Sequence, residues 1–480
     1  MLSSGKRSKK TNFIFCIISS AVLSIGFGSI LVLGNFNVYI ASYIHDQEGQ
    51  KYVNLQYGNL MVPLLTFAMT CFTPISGPIE KKIGPKLTII LGEIIISVFL
   101  IFFYIQKNIW FTYFICFGVG FGYSIVNMIP VKNLCFYYPK YKGLISTSIP
   151  GIGIISSGIF NIVGEIIINP EGETAEGGFY SKEIGENHKK IFLYILFLSI
   201  ICTIICIVFF VKYDPSFETI EVQNQNQNET DNNTKIIKDE NYYYNLKKIF
   251  KNYRIWLIAA FGAFASFSVG FVLNTFRAFV SLTQTDKGDG EIIQYLGAFI
   301  ILCLCVFAPL WGFLSDKFGF RIVIVIITFL GIIDSVGLSF FLDQKIMYRI
   351  LICLGGIIMS GLIASIGPHV MGVFGIKYAL ELNGIVGIFS GIISLAGAIT
   401  SFIFGVKWEN PKDIIEPYRV VFIIGSILNI LAFILQWFEP VLEFNFGELE
   451  EILKEITDGE NNKNKEENQI LVSSNDINYS

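Results

Sequence analysis

The sequence predicts an all-α membrane protein, with twelve transmembrane helices in two pseudo-symmetric six-helix bundles. Three observations predict it. The 480 residues are 53% hydrophobic and 15% charged, with a mean hydropathy of +0.59, whereas a soluble globular chain carries about 25% charged residues. Charge is confined to short islands between apolar runs of roughly 20 residues, the length that crosses a bilayer core. A short basic loop also occurs twice: "GPIEKKIGPK" begins at Gly77 and "GFLSDKFGFR" at Gly312, 235 residues further on. The weak alternation of about ten residues that marks a membrane barrel is not seen.

The elements follow in order. "MLSSGKRSKK" opens a basic N-terminus, residues 1–12. The apolar run from Phe13 to Ile40 is too long for a signal-peptide core, and no small-residue cleavage site follows it, so it reads as the first helix. The spans expected are 13–42, 56–78, 87–105, 109–135, 143–168 and 191–212, then 254–281, 292–313, 322–342, 346–369, 382–406 and 418–438. This divides the chain into a cytoplasmic N-terminus (1–12), an N-terminal bundle (13–212), a cytoplasmic linker (213–253), a C-terminal bundle (254–438) and an acidic, disordered cytoplasmic tail (439–480). The linker holds "NQNQNETDNNTK", polar and of low complexity, then "YYYNLKKIFKNYR", a basic amphipathic segment suited to a membrane surface. One short helix is expected in the tail near Gly447 to Thr457.

Orientation follows from lysine and arginine in the short loops. With the N-terminus inside, the inner loops hold Lys6, Arg7, Lys9, Lys10, Lys81, Lys82, Lys86, Lys140, Lys142, Lys317, Arg321 and Lys377. Lysines in the outer loops are offset by acids. Both termini are then cytoplasmic, in a plasma or organelle membrane. The sequons at Asn228, Asn232 and Asn478 fall on the cytoplasmic side and read as unused. Trp110, Trp256, Trp408 and Trp437 lie near span ends, where amphipathic rings prefer to be.

Several classes are disfavoured. The net charge of −3 gives no reason to expect nucleic acid. The nine cysteines fall within apolar spans without a CxxC, and read as small buried hydrophobes. No His, Cys and carboxylate cluster has catalytic or metal spacing, so no enzyme, metal or cofactor is expected. Gly118, Gly120 and Gly122 do not form a nucleotide loop, because no strand precedes them.

The repeated loop carries a family resemblance. "GFLSDKFGFR" resembles the loop motif of the major facilitator superfamily, G-x-x-x-D-[RK]-x-G-x-[RK], at Gly312, Asp316, Lys317, Gly319 and Arg321. The first copy resembles it at Gly77, Lys82, Gly84 and Lys86, but has Lys81 at the Asp position. Its Gly-Pro-Lys, together with "FYYPKYKGL" and "FGIKYALELNGIVG", is similar to sequences of the oxalate/formate antiporter and monocarboxylate transporter branches. The resemblance implies a monomeric carrier of a small solute, in contact with membrane lipid, with protons as a candidate coupling ion. A monocarboxylate-type organic anion is the first cargo class, and a neutral solute or amino acid the second. Spans 8 and 11 lack the deep cations of oxalate carriers, which argues against dicarboxylates. A membrane sensor that kept the fold and lost transport is the reading of another class.

The same resemblance implies a cavity lined mainly by spans 1, 4, 7 and 10, with the two loops acting as gates. Polar groups at membrane depth are costly and mark function. Asn35, Tyr123, Asn127, Asn274, Arg277 and Asn383 are therefore the candidate substrate-binding residues. A guanidinium at Arg277 would grip a carboxylate bidentately, although snorkelling to the outer surface also accounts for it. Asp334, Glu165 and His369 are the candidates for proton coupling, and Glu93 reads as structural. An acidic latch at a helix N-terminus, where negative charge gains about 0.3–1 kcal/mol, is expected at Asp316 and not at Lys81, whose sign is wrong.

Overall fold

The computed structural model describes residues 9–30, 33–53, 55–171, 173, 179–213, 246–247, 249–283, 289–407 and 411–438. Most of the linker, the tail, the three sequons and the helix expected near Gly447 lie outside them. Among the described residues, twelve stretches are long and apolar enough to cross a membrane. The first span is described as two helices, α1 (Lys9–Ile30) and α2 (Leu33–His45), and a short α3 (Leu55–Gly58) follows. Then come α4 (Met61–Ile83), α5 (Pro85–Ile105), α6 (Ile109–Val126), α7 (Met128–Tyr137), α8 (Lys142–Ile168) and α9 (Lys182–Phe209). The second bundle holds α10 (Tyr253–Thr283), α11 (Asp289–Phe318), α12 (Phe320–Phe341), α13 (Lys345–Phe374), α14 (Ala379–Lys407) and α15 (Pro411–Leu435).

The fourth span runs from Ile109 to Tyr137, in line with the expected 109–135. At Asn127, between α6 and α7, the backbone stays helical (φ −51°, ψ −46°) and its N–H still meets the Tyr123 carbonyl. Pro130 leaves one ladder bond unmade there, because it has no N–H to offer the Val126 carbonyl four residues back.

In the first bundle α1 packs on α8 and α9, α4 on α6, and α5 on α6 and α9. In the second, α10 packs on α13, α14 and α15, while α12 packs on α13 and α15. The bundles meet through α4 against α14, and through α8 against α11 and α13. The outer faces are apolar: Ile162, Ile166, Phe197, Val208, Phe340 and Ile350 are all exposed, while serines, threonines and asparagines are buried between helices. Water would penalise such a surface, and a bilayer solvates it.

The duplicated loop is duplicated in backbone too. Gly84 has φ 85° and ψ 162°, and Gly319 has φ 84° and ψ 154°. Only glycine enters that region freely. The hairpins α4–α5 and α11–α12 therefore turn in the same way, and both glycines are required by the turn.

Candidate functional site

The two bundles touch at the end that carries the loops, and again at the far end, where the Tyr57 ring of α3 meets Phe402 of α14 at 4.8 Å. Asp316, at the close of α11, accepts the backbone N–H of Gly143 at 2.9 Å and that of Leu144 at 2.8 Å. These are orphan donors in the first turn of α8, whose own N-cap residue, Tyr141, supplies no side-chain cap. The carboxylate of one bundle thus caps a helix of the other. Close approach makes this possible. A Cβ at Gly312 would stand 2.5 Å from Thr147 Oγ1 and 2.6 Å from the Gly143 carbonyl oxygen. Lys142 reaches in the opposite sense, with Nζ 2.5 Å from where a Cβ at Gly372 would lie. Gly372 is in the last turn of α13, so the ammonium sits at a helix C-terminus, where the dipole favours a cation.

The α4–α14 contact has the opposite polarity. Glu381, in the first turn of α14, is 2% exposed, and a Cβ at Gly77 would overlap its Oε1. Lys81 lies one turn beyond Gly77 on the same face of α4. The second loop brings a carboxylate to α8, and the first carries an exposed lysine one turn from the Gly77 that meets Glu381 of α14. Glu80 does not reach across, because it pairs with Lys132 of α7 at 2.9 Å inside the first bundle. The other loop residues face outward. Lys82, Lys86 and Lys317 are exposed, and the Arg321 guanidinium lies 5.0 Å from the Trp437 ring centre.

Of the candidate substrate-binding residues, Tyr123 and Asn127 share a face of the fourth span at i, i+4. Tyr123 stands midway between Ile109 and Tyr137, about 21 Å from each by helical rise. It is 9% exposed, and its ring meets Phe27 of α1 edge-on at 5.3 Å. Asn127 follows one turn below, at the junction of α6 and α7. Asn383 is near the loop end, early in α14, with a buried Nδ2 that finds no acceptor. The side chains of Asn35, Asn274 and Arg277 lie outside the described residues.

The proton-coupling candidates have three different settings. Glu165 accepts the Tyr39 hydroxyl and ties α8 to α2 at the end away from the loops. His369 stacks on Phe320 at 3.7 Å and 12°, against the second loop. Asp334 is 0% exposed, and neither of its oxygens accepts a hydrogen bond. Glu93, by contrast, accepts three hydroxyls, from Ser97 (3.2 Å), Ser199 (2.7 Å) and Thr203 (3.1 Å).

Sequence reasoning passed over Glu381, Lys142 and Lys132. Glu381 offered a signal: it is an acid in the first turn of a helix, in a segment already notable for its similarity to known loops. Lys132 offered only its cost at membrane depth.

Two six-helix bundles that meet along α4–α14 and α8–α11, with a carboxylate of one capping a helix of the other at the loop end, have the build of a polytopic carrier of small solutes. Comparison with known proteins gives the family. The chain matches the Major Facilitator Superfamily over residues 18–341 and again over 262–451, and it belongs to that family. No curated protein matches it in sequence. Among solved structures it is similar to the proton:xylose symporter XylE, with a TM-score of 0.65 and 10% identity, covering 90% of this chain and 95% of that one. It is also similar to the nucleoside transporter NupG (TM-score 0.57, 13% identity, 89% and 99% covered). A third is a bacterial homologue of the human lysosomal transporter Spinster (TM-score 0.59, 14% identity, 90% and 97% covered). At these identities the likeness is one of fold.

Proposed function

We propose that this transporter moves a monocarboxylate-type organic anion by alternating access, with both termini in the cytoplasm. The observation that carries the reading is the cross-bundle capping of α8 by Asp316. It makes the loop end a gate that opens only when the bundles part. The described conformation is then closed toward the cytoplasm, with Tyr123 and Asn127 beyond the closure as solute contacts. Asn35, Asn274, Arg277 and Asn383 complete the proposed set. The anion class rests on the branch-like loops and on Arg277.

A specific observation favours a second cargo class. Among the described residues, the charged side chains of α1, α2, α10 and α13 fall near helix ends, and Lys132 of α7 is paired with Glu80, which suits a neutral solute or an amino acid. XylE and NupG, by their names, carry a sugar with a proton and a nucleoside. In either reading residues 213–253 are a cytoplasmic linker, 439–480 a cytoplasmic tail, and the carrier works as a monomer with lipid against its outer faces. Radiolabelled solutes offered to reconstituted vesicles, with and without a pH gradient, test the proposal. Loss of anion uptake in Arg277→Ala supports the anion class, and unchanged uptake supports the neutral one. No flux of any solute would leave the sensor reading.

A further inference from the structure

A buried polar seam in the second bundle has unmet needs of one kind. Asn429 of α15 donates to Ser268 Oγ of α10 at 2.9 Å, and to the Gly331 carbonyl (3.2 Å) and Ser335 Oγ (3.3 Å) of α12. Its own Oδ1 is buried and accepts nothing. Gln436 donates to Thr328 Oγ1 at 3.3 Å, and its Oε1 is likewise buried and unmet. Asp334 sits on α12 between Gly331 and Ser335, and both its oxygens are buried without a donor. Ser335 cannot help, because its hydroxyl is given to the Gly331 carbonyl at 2.8 Å. All of these unmet atoms are acceptors, so what the seam lacks is a hydrogen.

Among the described residues nothing charged offsets an ionised Asp334. Facing it, α13 presents Gly355, where an added Cβ would lie 3.6 Å from Asp334 Oδ2 and 3.8 Å from Val269 Cγ1 of α10. Among the described residues no cation lies within ion-pair distance of it. The nearest titratable groups are thiols: Cys353 two residues from Gly355 on α13, and Cys303 of α11, whose Cβ lies 3.6 Å from where a Cβ at Gly356 would stand. The charged groups of the packed helices are farther off by helical rise. On α13, Tyr348 and Arg349 lie roughly 10 Å along the axis from Gly355. On α15, Tyr418 is about 16 Å from Asn429, and Arg419 gives its Nε–H to the Ser339 carbonyl, about 8 Å along α12 from Asp334. On α10, Arg254 is about 22 Å from Val269, and Arg277, whose side chain is not described, is about 12 Å from it. On α12 itself, Arg321 is roughly 20 Å away, and Asp343 beyond its end about 13 Å. A carboxylate with neither donor nor counter-ion in hydrocarbon is strongly disfavoured, and such groups neutralise instead.

We propose that Asp334 is a proton-binding site. In the conformation closed at the loop end it is a neutral carboxylic acid. It releases its proton when α10 shifts against α12 and α13 and water enters the seam: the O–H bond breaks, the electron pair stays on the carboxylate, and the proton leaves on water. The coupling of this release to the movement of α10 rests on the transporter reading above, whereas the site itself does not. A bound proton fits these surroundings better than a metal cation, since Gly355 and Val269 offer hydrocarbon where a metal would need further oxygens.

The test is infrared difference spectroscopy of the full chain in lipid vesicles, titrated in pH. The proposal expects a carboxylic-acid C=O band that persists at neutral pH in the wild type. Asp334→Asn should lose one carboxyl's worth of that band, and Glu93→Gln should keep the Asp334 share. A band unchanged in Asp334→Asn overturns the proposal, as does a wild-type band that appears only where ordinary carboxylates titrate. A band abolished at fixed pH by sodium chloride but not by choline chloride also overturns it, in favour of a sodium site. Should Asp334→Asn fail to fold, Asp334→Glu decides: a shifted band supports the assignment, and an unshifted one overturns it. No transported solute is needed, so failure here and failure of the transporter reading are separate results.

Discussion

Asp316 of α11 accepts the backbone N–H of Leu144 of α8 at 2.8 Å, a bond made between the two bundles. Together with the bond to Gly143 it satisfies helix-end donors that the first bundle leaves uncapped. Separation of the bundles at this end exposes those donors until water replaces the carboxylate. The contact therefore stabilises one conformation of the carrier and not the other.

Asp316→Ala should shift the balance toward the state open at the loop end. Loss of such a cap costs about 1–2 kcal/mol, roughly a 5- to 30-fold change in population. Spin-label distances between the loop ends of α8 and α11 measure it. Glu80→Gln should leave that distance unchanged, because Glu80 pairs with Lys132 inside one bundle. Equal shifts would refute the assignment of the latch to the second loop.

Gly312→Ala should act in the same direction for a steric reason. The added methyl meets the Gly143 carbonyl at 2.6 Å, and overpacking of this kind costs about 1–3 kcal/mol. Because the clash is between bundles, the loop-end distance should widen while each bundle still folds. Loss of folded protein on gel filtration, with no widened state, would count against this.

Lys81→Asp restores the residue usual in the loop motif, yet it should impair this chain. A second carboxylate would be set one turn from Gly77, beside Glu381. Uptake should fall in the single variant and recover when Glu381→Gln is added. If the single variant transports as well as the wild type, the reversed polarity of the α4–α14 contact has no consequence for cycling.

Tyr123→Phe and Asn127→Ala should each lower solute uptake without lowering the amount of folded protein. Pro130→Ala should restore the hydrogen bond to the Val126 carbonyl and raise thermal stability, with a loss of uptake. A thermal-shift measurement beside vesicle uptake checks all three. Full uptake in Pro130→Ala would mean that the missing ladder bond is incidental.

The twelve spans and the duplicated hairpin were legible in the chain because hydropathy, loop charge and glycine spacing are local properties. The unmade ladder bond at the Val126 carbonyl was also written there, in Pro130, but a span-length reading averages over it. The partners of Asp316 were not legible. A carboxylate in a loop is drawn equally to lipid, water or a helix end, and only the meeting of α8 with α11 selects the last.

The sequence by itself determined the class of fold, the repeat and the sign of each loop residue, because burial in a bilayer demands long apolar runs and confines charge to their ends. The tertiary structure decided which charge meets which helix. It set Asp316 on the first turn of α8 and Glu381 against Gly77, and it left both Asp334 oxygens without a donor. Those outcomes depend on contacts between residues far apart in the chain: the first two arise when the bundles close on one another, and the third from packing within the second bundle.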